Sequence, residues 1–547
     1  MIHRVNSERL TTNSPWGRRL AWLFSIEHRL LAAVAIIIGM MAAFFLRGRL
    51  VDYLWSDLWG IAIALVCLLF AWKRTRRGIE QVGDALYQRW QAIGPRGQVI
   101  SGTLGVLVLV LINTNYLLNL PLVLQTSVYQ PQAGGDAVLT QSGQSKDTTI
   151  QFTLYGLQQG CLLCGANRPD ARPEPIENLV AAEDLGLIFF FGVAVKSGLL
   201  APTVQGYHLF IVALFVGASV LAALVVGLAY RSIGATVLFL VAIFSSRLLT
   251  PLPYLTSEIL VRSYGVPTLI MFLTAAWGLA ILARTDRRLP GARTWVTYLC
   301  SLALGLTAGF GFLARSESGY IALMAGAGLL LYWTFAQRKW GQALALWLLL
   351  GLGFALPLAA FDGVLAARFA WYALPPVQAD KLPGHGIWHN AFIGLGYVPN
   401  RWGIVWDDQV GAEFAAKNCP GVGFATYQYF DCLKGQFFKI VRADPGLLVR
   451  NLVVKTVMMF VIVLFTPAAL WAAIAVGFTR LKNHWITIGY LLMLLLLTML
   501  PGLLAIPERN YAQGFFAVIV CLGVVSLLNL FAVDQGDSNV PAIKEAR

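Results

Sequence analysis

Side chains that could carry chemistry are concentrated between Lys381 and Asp408, in the stretch KLPGHGIWHNAFIGLGYVPNRWGIVWDD. The stretch combines two histidines, several aromatic residues, an arginine and an adjacent pair of carboxylates. Flat aromatic faces suit the C–H faces of sugar rings, while carboxylates accept hydrogen bonds from hydroxyl groups. The residues that we assign to substrate binding on this basis are Trp388, Tyr397 and Asp407. The competing interpretation is a loop that forms an aromatic belt at a membrane interface.

His385 and His389 are four residues apart, which would bring both side chains to one face of a helix and make them candidate metal ligands. Pro383 and the glycines on either side of His385 disfavour a regular helix at this point. We therefore predict no metal-ligating residues in the chain.

A second set of ionisable residues lies at the ends of long apolar runs: Arg247, Glu258, Arg262, Arg315, Glu317, Glu508 and Arg509. Carboxylates are nearly absent from the interior of those runs. This disfavours an ion-coupled transporter, because such proteins usually place an acidic group near the membrane midplane. A single charge at a helix end is typically an interface anchor, but several arginines on one rim favour a phosphate-bearing head group as ligand.

The apolar runs themselves predict an all-α integral membrane protein. Of the 547 residues, 58% are hydrophobic and only 12% are charged, whereas soluble proteins have roughly 25% charged residues. Apolar runs of about 20 residues can cross a bilayer, and inside lipid their backbone must be helical. The predicted transmembrane helices number about twelve: 30–46, 58–72, 99–120, 206–229, 234–251, 264–284, 295–314, 319–336, 340–360, 452–478, 484–505 and 510–532.

The distribution of charge predicts how these helices are oriented. The net charge is +14, but the basic clusters directly adjoin apolar runs. This is the excess of Lys and Arg typical of cytoplasmic loops, and it disfavours nucleic acid as a partner. The apolar segment Leu185–Leu200 is short and contains Lys196. Treating it as an interfacial or re-entrant helix keeps every short basic loop on the cytoplasmic side.

Two large polar loops follow from this topology, and we expect both to be extracytoplasmic. The predicted parts are a cytoplasmic segment (1–29), three spans (30–120), the first loop (121–205), spans four to nine (206–360), the second loop (361–451), the last three spans (452–532) and a cytoplasmic tail (533–547). We expect a multi-pass protein of the plasma (inner) membrane with both loops in the periplasm, or in a lumen as the alternative. Residues 433–443 have the spacing of an amphipathic helix that could lie on membrane lipid.

The cysteines agree with an oxidising environment for both loops. Each loop contains one pair, which predicts the disulfides Cys161–Cys164 and Cys419–Cys432. The Cys-x-x-Cys spacing of the first pair leaves two alternatives open, a redox-active pair and half of a zinc site. The remaining cysteines lie in predicted spans, where cysteine behaves as a small apolar residue.

The segment LGLTAGFGFLARSESGYIALM (304–324) resembles a helix of the GT-C superfamily of membrane glycosyltransferases. There a Gly/Ala-rich helix ends in an arginine followed by an acidic and a small residue, the places that Arg315, Glu317 and Gly319 occupy. The acidic residue usually follows the arginine more closely, and the first large loop usually follows the first span. The resemblance implies an enzyme that transfers a sugar from a polyprenyl-phosphate-linked donor to a glycan, lipid or protein acceptor on the outer side.

The resemblance also implies roles for individual residues. The family's catalytic carboxylate lies in the first large loop, and the sequence from Asp147 to Gln151, followed by Gly156, is similar to its surroundings. Asp147 would be the general base that takes the proton of the acceptor hydroxyl, with Asp136 as its rival. The leaving phosphate needs cations, which a divalent ion (Mg²⁺ or Mn²⁺) could also supply. The candidate phosphate-binding residues are Arg315, Arg262, His389 and Arg401.

Two further hypotheses remain open. The sequence His389-Asn390-Ala391-Phe392-Ile393 is similar to a piece of O-antigen ligases and polymerases, which act on polyprenyl-linked glycans with about twelve spans. Those proteins place their main outer loop late in the chain, which leaves the first loop unexplained. The hypothesis of a different class is a lipid or glycan transporter or flippase, in which the polar loops guide the substrate.

Overall fold

The computed structural model of the protein describes residues 81, 85, 88–90, 92–119, 145–166, 170, 172–175, 185–248, 265–285, 294–372, 387–422, 427–464, 466, 468–477, 485–508 and 511–532. The predicted spans 30–46 and 58–72 lie outside these residues, as do Asp136 and Arg262. The described helices are α1 (Gly94–Leu118), α2 (Ser145–Gln158), α3 (Gly186–Lys196), α4 (Val204–Tyr230), α5 (Ile233–Leu248), α6 (Val266–Thr285), α7 (Thr294–Ala314), α8 (Ser316–Gln337), α9 (Trp340–Tyr372), α10 (Ile387–Gly394), α11 (Asp408–Asn418), α12 (Tyr427–Ala443), α13 (Pro445–Leu464), α14 (Ala468–Gly477), α15 (Trp485–Leu504) and α16 (Gln513–Ala532). Two short strands, β1 (Cys164–Gly165) and β2 (Glu174–Pro175), pair in antiparallel fashion.

Among the described residues, eight helices are long and apolar enough to cross a membrane: α1, α4, α6, α7, α8, α9, α13 and α15. The shorter apolar helices α5 and α16 fall on the predicted spans 234–251 and 510–532. These findings confirm a helical, multi-pass membrane protein. The total of twelve spans and the sidedness of the loops remain predictions.

The predicted span 452–478 is two helices in the structure. Helix α13 begins earlier than predicted, at Pro445, and ends at Leu464, and α14 begins at Ala468. Pro467 immediately precedes α14. Proline cannot donate a backbone hydrogen bond, and it disfavours helical geometry in the residue before it, so a helix break at this point is expected.

The apolar segment 185–200 forms the eleven-residue helix α3. At about 1.5 Å per residue such a helix is about 16 Å long, roughly half the thickness of a bilayer core. Its first residue, Gly186, packs against the backbone of Leu313 and Ala314 at the end of α7. The segment is therefore helical and too short to span, as expected, while its position at the membrane interface remains a prediction.

A second hydrophobic core lies outside the helix bundle. We call residues 387–422 and 427–447 the loop domain, because they belong to the second predicted loop. Its buried centre joins α10, α11 and α12 and the first turn of α13: Phe392, Ile393, Leu395, Ile404, Ala415, Tyr429, Leu433, Ile440 and Leu447. The second predicted loop is thus in large part a small folded helical domain.

The described parts of both polar regions lie at the same end of the bundle. Gly394 of the loop domain packs directly on the C-terminal end of α15. At that end the start of α6 meets the start of α16, where the Thr268 hydroxyl donates a hydrogen bond to Gln513 (3.2 Å). At the same end, Ile270 of α6 lies next to Gly311 near the end of α7. The last residues of α7 in turn contact Gly186 of α3. The α7–α8 junction therefore lies between the two polar regions.

Candidate functional site

The loop domain contains a hydrogen-bonded chain of three side chains from three helices. His389 of α10 bonds through Nδ1 to the Tyr429 hydroxyl of α12 (2.6 Å). Its other ring nitrogen, Nε2, bonds to Oδ1 of Asp408 at the start of α11 (3.0 Å). The hydrophobic core that holds the three helices together therefore also fixes the relative positions of these groups.

Local features of the sequence place Asp408 at the start of its helix. The Asp407 side chain caps α11 by accepting a hydrogen bond from the backbone N–H of Gln409 (2.9 Å). A negative charge in the first turn of a helix is also favourable for the helix dipole. At the other end of α11, a disulfide joins Cys419 to Cys432 of α12. The helices that carry Asp408 and Tyr429 are thus tied together covalently.

The burial of Tyr429 and the geometry of the two hydrogen bonds indicate which atoms act as donors. Burial, with an added contribution from the negative charge of Asp408, raises the pKa of the Tyr429 hydroxyl above its ordinary value. Tyr429 therefore keeps its proton at neutral pH, and we infer that its hydroxyl donates a hydrogen bond to Nδ1 of His389. In that arrangement the ring proton is on Nε2, which donates a hydrogen bond to Asp408. The Asp408 side chain is 55% exposed, so the chain ends in an oriented carboxylate that faces solvent.

The loop between α10 and α11 is shaped by one asparagine. Asn400 accepts a hydrogen bond from the backbone N–H of Trp402 (3.0 Å) and donates one to the carbonyl of Ile404 (2.8 Å). Gly403 between them has a φ of +69°, a conformation that side chains disfavour. The turn displays Arg401 at the surface. Its guanidinium lies 5.3 Å from the Trp402 ring centre and 3.8 Å from Asp444.

The three residues predicted to bind substrate have different structural surroundings. Trp388 packs against Phe438 (5.3 Å between ring centres), and its ring lies 5.7 Å from Nζ of Lys434. Tyr397 lies 5.9 Å from Nζ of the buried Lys455. Asp407 caps α11, whereas its neighbour Asp408 is the carboxylate that is hydrogen-bonded to His389.

Lys455 links α13 to the end of α15, next to the point where the loop domain meets the bundle. Its ammonium group donates hydrogen bonds to the carbonyls of Leu503 (2.9 Å) and Ala505 (2.7 Å), at the C-terminal end of α15. A cation is favourable there because the last carbonyls of a helix carry partial negative charge. Gly394 packs against the carbonyls of Leu504 and Ala505, which a side chain at this position would overlap. A lysine inside the predicted span 452–478 was the only sequence signal for this arrangement.

Replacing Lys455 by methionine is expected to lower the free energy of unfolding by about 1–3 kcal/mol, because buried carbonyls lose their charged donor. The melting temperature of the full chain in detergent measures this effect. Lys417→Met, at an exposed position of α11, is the matched control and is expected to change stability little. Equal melting temperatures for the Lys455→Met variant and the unmodified chain would contradict the capping role.

Arg315 lies at the junction between α7 and α8, where the chain is extended (φ −162°). Its side chain is buried, and Nε pairs with Oε1 of Glu317 at 2.6 Å. The backbone carbonyl of Arg315 accepts a hydrogen bond from the Ser318 hydroxyl (2.7 Å). Gly319 packs against the backbone of Phe312 on α7, leaving no room for a side chain. The arginine, acidic and small residues of this segment therefore form one compact turn.

Replacing Gly319 by alanine is expected to destabilise the chain by about 1–3 kcal/mol, because the added methyl group would overlap the backbone of α7. Gly341 provides the matched control, since an added methyl group there meets no atom within 4 Å. Gly341→Ala should leave stability unchanged or raise it by up to about 1 kcal/mol through helix propensity. Thermal melting of both variants in detergent compares them. A smaller loss for Gly319→Ala than for Gly341→Ala would contradict this packing.

The first polar region is attached to the bundle at its C-terminal half. Asp147 lies in α2, but its side chain is outside the described part of the structure. Gly156 of α2 packs on the backbone of Cys164, which a disulfide links to Cys161. Arg368 of α9, which is fully buried, donates a hydrogen bond to the carbonyl of Leu163 between them. No sequence pattern predicted this link between α9 and the first loop.

No group of three His, Cys, Asp or Glu side chains in the described residues is arranged to hold a metal ion. The structure brings His389 together with Asp408 and Tyr429, and it places Arg315 with Glu317 at the same end of the bundle. No protein family, curated protein or solved structure matches the chain.

Proposed function

We propose that the protein is a GT-C-like membrane glycosyltransferase of about twelve spans. It transfers a sugar from a polyprenyl-phosphate-linked donor to a glycan, lipid or protein acceptor. Its active site faces the periplasm from the plasma (inner) membrane. The observation that supports this proposal is that the described parts of both polar regions lie at one end of an apolar bundle, with the buried Arg315 between them at the α7–α8 junction. A donor with its hydrocarbon tail in lipid and its phosphate and sugar above the lipid would be bound at such a rim.

The proposed reaction forms one glycosidic bond. The acceptor hydroxyl oxygen attacks the anomeric carbon, and the bond from that carbon to the phosphate oxygen breaks. The polyprenyl phosphate leaves with the electron pair, while the hydroxyl proton passes to a carboxylate. We assign this base to Asp147, with Asp136 as the alternative. Arg315, Arg262 and Arg401 are the proposed phosphate-side cations, and Mg²⁺ or Mn²⁺ could assist them.

The geometry of the loop domain supports a different role for His389 from phosphate binding. Both of its ring nitrogens form hydrogen bonds, to Tyr429 and to Asp408. We therefore assign His389 as a positioning residue that orients Asp408. The exposed Asp408 carboxylate would accept a hydrogen bond from a sugar hydroxyl, a contact of the kind first assigned to Asp407.

One observation favours a second candidate function. The His-Asn-x-aromatic-aliphatic segment that resembles O-antigen ligases and polymerases forms α10, and its histidine belongs to the hydrogen-bonded chain. Such an enzyme would transfer a whole glycan from a polyprenyl-linked donor. It would use the same end of the bundle. Release of polyprenyl pyrophosphate instead of polyprenyl monophosphate would identify it.

Reconstituted full-length chain can test the proposal directly. Proteoliposomes would be incubated with a panel of polyprenyl-phosphate-linked sugars and candidate acceptors, and the remaining donor would be quantified by mass spectrometry. We expect consumption of at least one donor, dependent on an acceptor. Movement of intact donor across the bilayer without consumption would instead favour the transporter or flippase.

A further inference from the structure

Helix α12 presents a basic face that the proposed reaction does not use. The exposed side chains on one side of the helix include Lys434, Phe438, Lys439 and Arg442, while Leu433 and Ile440 on the other side are buried in the loop domain. These exposed residues line a shallow depression together with Gly435 and Asp431. The face therefore carries three cations, one carboxylate and an aromatic ring that is 40% exposed.

This basic face lies next to a surface that lipid would cover. A single residue, Asp444, separates the end of α12 from the start of α13. Within the first three turns of α13, Val449 and Val453 are 58% and 57% exposed, and α13 is long and apolar enough to span the membrane. Exposed valines on a membrane-spanning helix face hydrocarbon, so the residues just before them lie at the level of the head groups. The basic face of α12 is therefore close to that layer.

The composition of the face fits one kind of occupant. Lysine and arginine side chains near a membrane surface are attracted to anionic lipid head groups, and exposed aromatic rings favour the interfacial region. The ring of Trp388 lies 5.7 Å from Nζ of Lys434, so this cation is held over the edge of the loop domain. We propose that the basic face of α12 binds the phosphate groups of anionic phospholipids in the adjoining leaflet. This contact sets the position of the loop domain relative to the bilayer.

A label on the face itself can test this inference. Gly435 lies on the face, and a side chain added there meets no atom within 4 Å. Full-length Gly435→Cys chain would carry an environment-sensitive fluorophore in nanodiscs containing increasing fractions of phosphatidylglycerol in phosphatidylcholine. Identically treated unmodified chain corrects for labelling of native cysteines. We expect a blue shift that rises with phosphatidylglycerol and is reversed by about 1 M salt, where the screening length falls to about 3 Å.

Variants then assign the effect to the cations. Each basic residue near a membrane surface strengthens binding by a factor of about five. Lys439→Gln should therefore raise the phosphatidylglycerol fraction at half-maximal shift by about fivefold. The triple variant Lys434→Gln, Lys439→Gln, Arg442→Gln should give no shift. Lys417→Gln removes an exposed charge from α11 and is expected to keep the full response. If the triple variant melts in detergent at a lower temperature than the unmodified chain, the response of the single Lys439→Gln variant is used to test the role of the cations.

Four results would overturn the proposal. The first is an equal shift in pure phosphatidylcholine, and the second is a shift that persists in the triple variant. The third is the same shift on adding soluble polyglutamate to phosphatidylcholine nanodiscs, which would indicate an acidic peptide as partner. The fourth is saturation by polyprenyl phosphate at fractions far below those of phosphatidylglycerol, which would make this face part of a donor site.

Discussion

Replacing Asp147 by asparagine is expected to lower the rate of sugar transfer by about 10²–10⁴-fold, the usual contribution of a general base. Asparagine has nearly the same shape as aspartate but cannot accept the proton of the attacking hydroxyl. The loss should therefore appear in kcat, with little change in the KM for the donor. Initial rates of product formation by reconstituted chain, measured over a range of donor concentrations, separate these two quantities.

Two further variants make this prediction specific. Asp362→Asn alters an exposed carboxylate of α9 outside the proposed site and is expected to keep full activity. Asp136→Asn tests the rival base, and we expect it to have much the smaller effect of the two. Full transfer activity in both the Asp147→Asn and the Asp136→Asn variants would remove the base from the first polar region.

Replacing Asp408 by asparagine is expected to lower kcat/KM by about 10–10²-fold, since a hydrogen bond to a charged group is worth about 1.5–3 kcal/mol. The loss should appear mainly in KM, because Asp408 is assigned to holding a substrate hydroxyl. The assay is the same steady-state measurement with the acceptor varied. Glu413→Gln, an exposed carboxylate on the same helix, is the matched control and should behave like the unmodified chain.

The hydrogen bonds between His389, Asp408 and Tyr429 allow an independent check of this second prediction. His389→Gln removes the group that orients Asp408 and should reproduce most of the loss in KM. Tyr429→Phe removes only the donor to Nδ1, and we expect a smaller effect. Asp407→Asn should also have a small effect, since asparagine caps a helix as well as aspartate does. A larger loss for Asp407→Asn than for Asp408→Asn would contradict the assignment of the two carboxylates.

The sequence predicted the helices of the bundle well because the length of an apolar run is a local property, and a bilayer requires runs of about 20 residues that are helical. The break before Ala468 was not predicted, because the residues on both sides of it are apolar and the two helices form one continuous apolar run in the sequence. The segment that forms the eleven-residue helix α3 was predicted not to span because it is short, contains Lys196, and as a span would place the short basic loops outside. Local patterns were thus sufficient where a single segment decides its own structure.

The candidate site required tertiary contacts that the sequence does not display. Asp407 and Asp408 are chemically identical neighbours, and only the fold shows that one caps α11 while the other meets His389. Tyr429 lies forty residues from His389 and was not singled out by any motif. Arg368 likewise binds a carbonyl that is 205 residues away. Pairings over such separations depend on how helices pack, which composition and spacing leave undetermined.

The identity of the released lipid distinguishes the proposed glycosyltransferase from both alternative functions. Reconstituted chain would be given a donor with a radiolabelled sugar, and polyprenyl monophosphate and glycosidic product would be quantified together over one time course. We expect one molecule of polyprenyl monophosphate for each glycosidic bond formed. Release of polyprenyl pyrophosphate with transfer of a whole glycan, or transbilayer movement of the intact labelled donor, would contradict it.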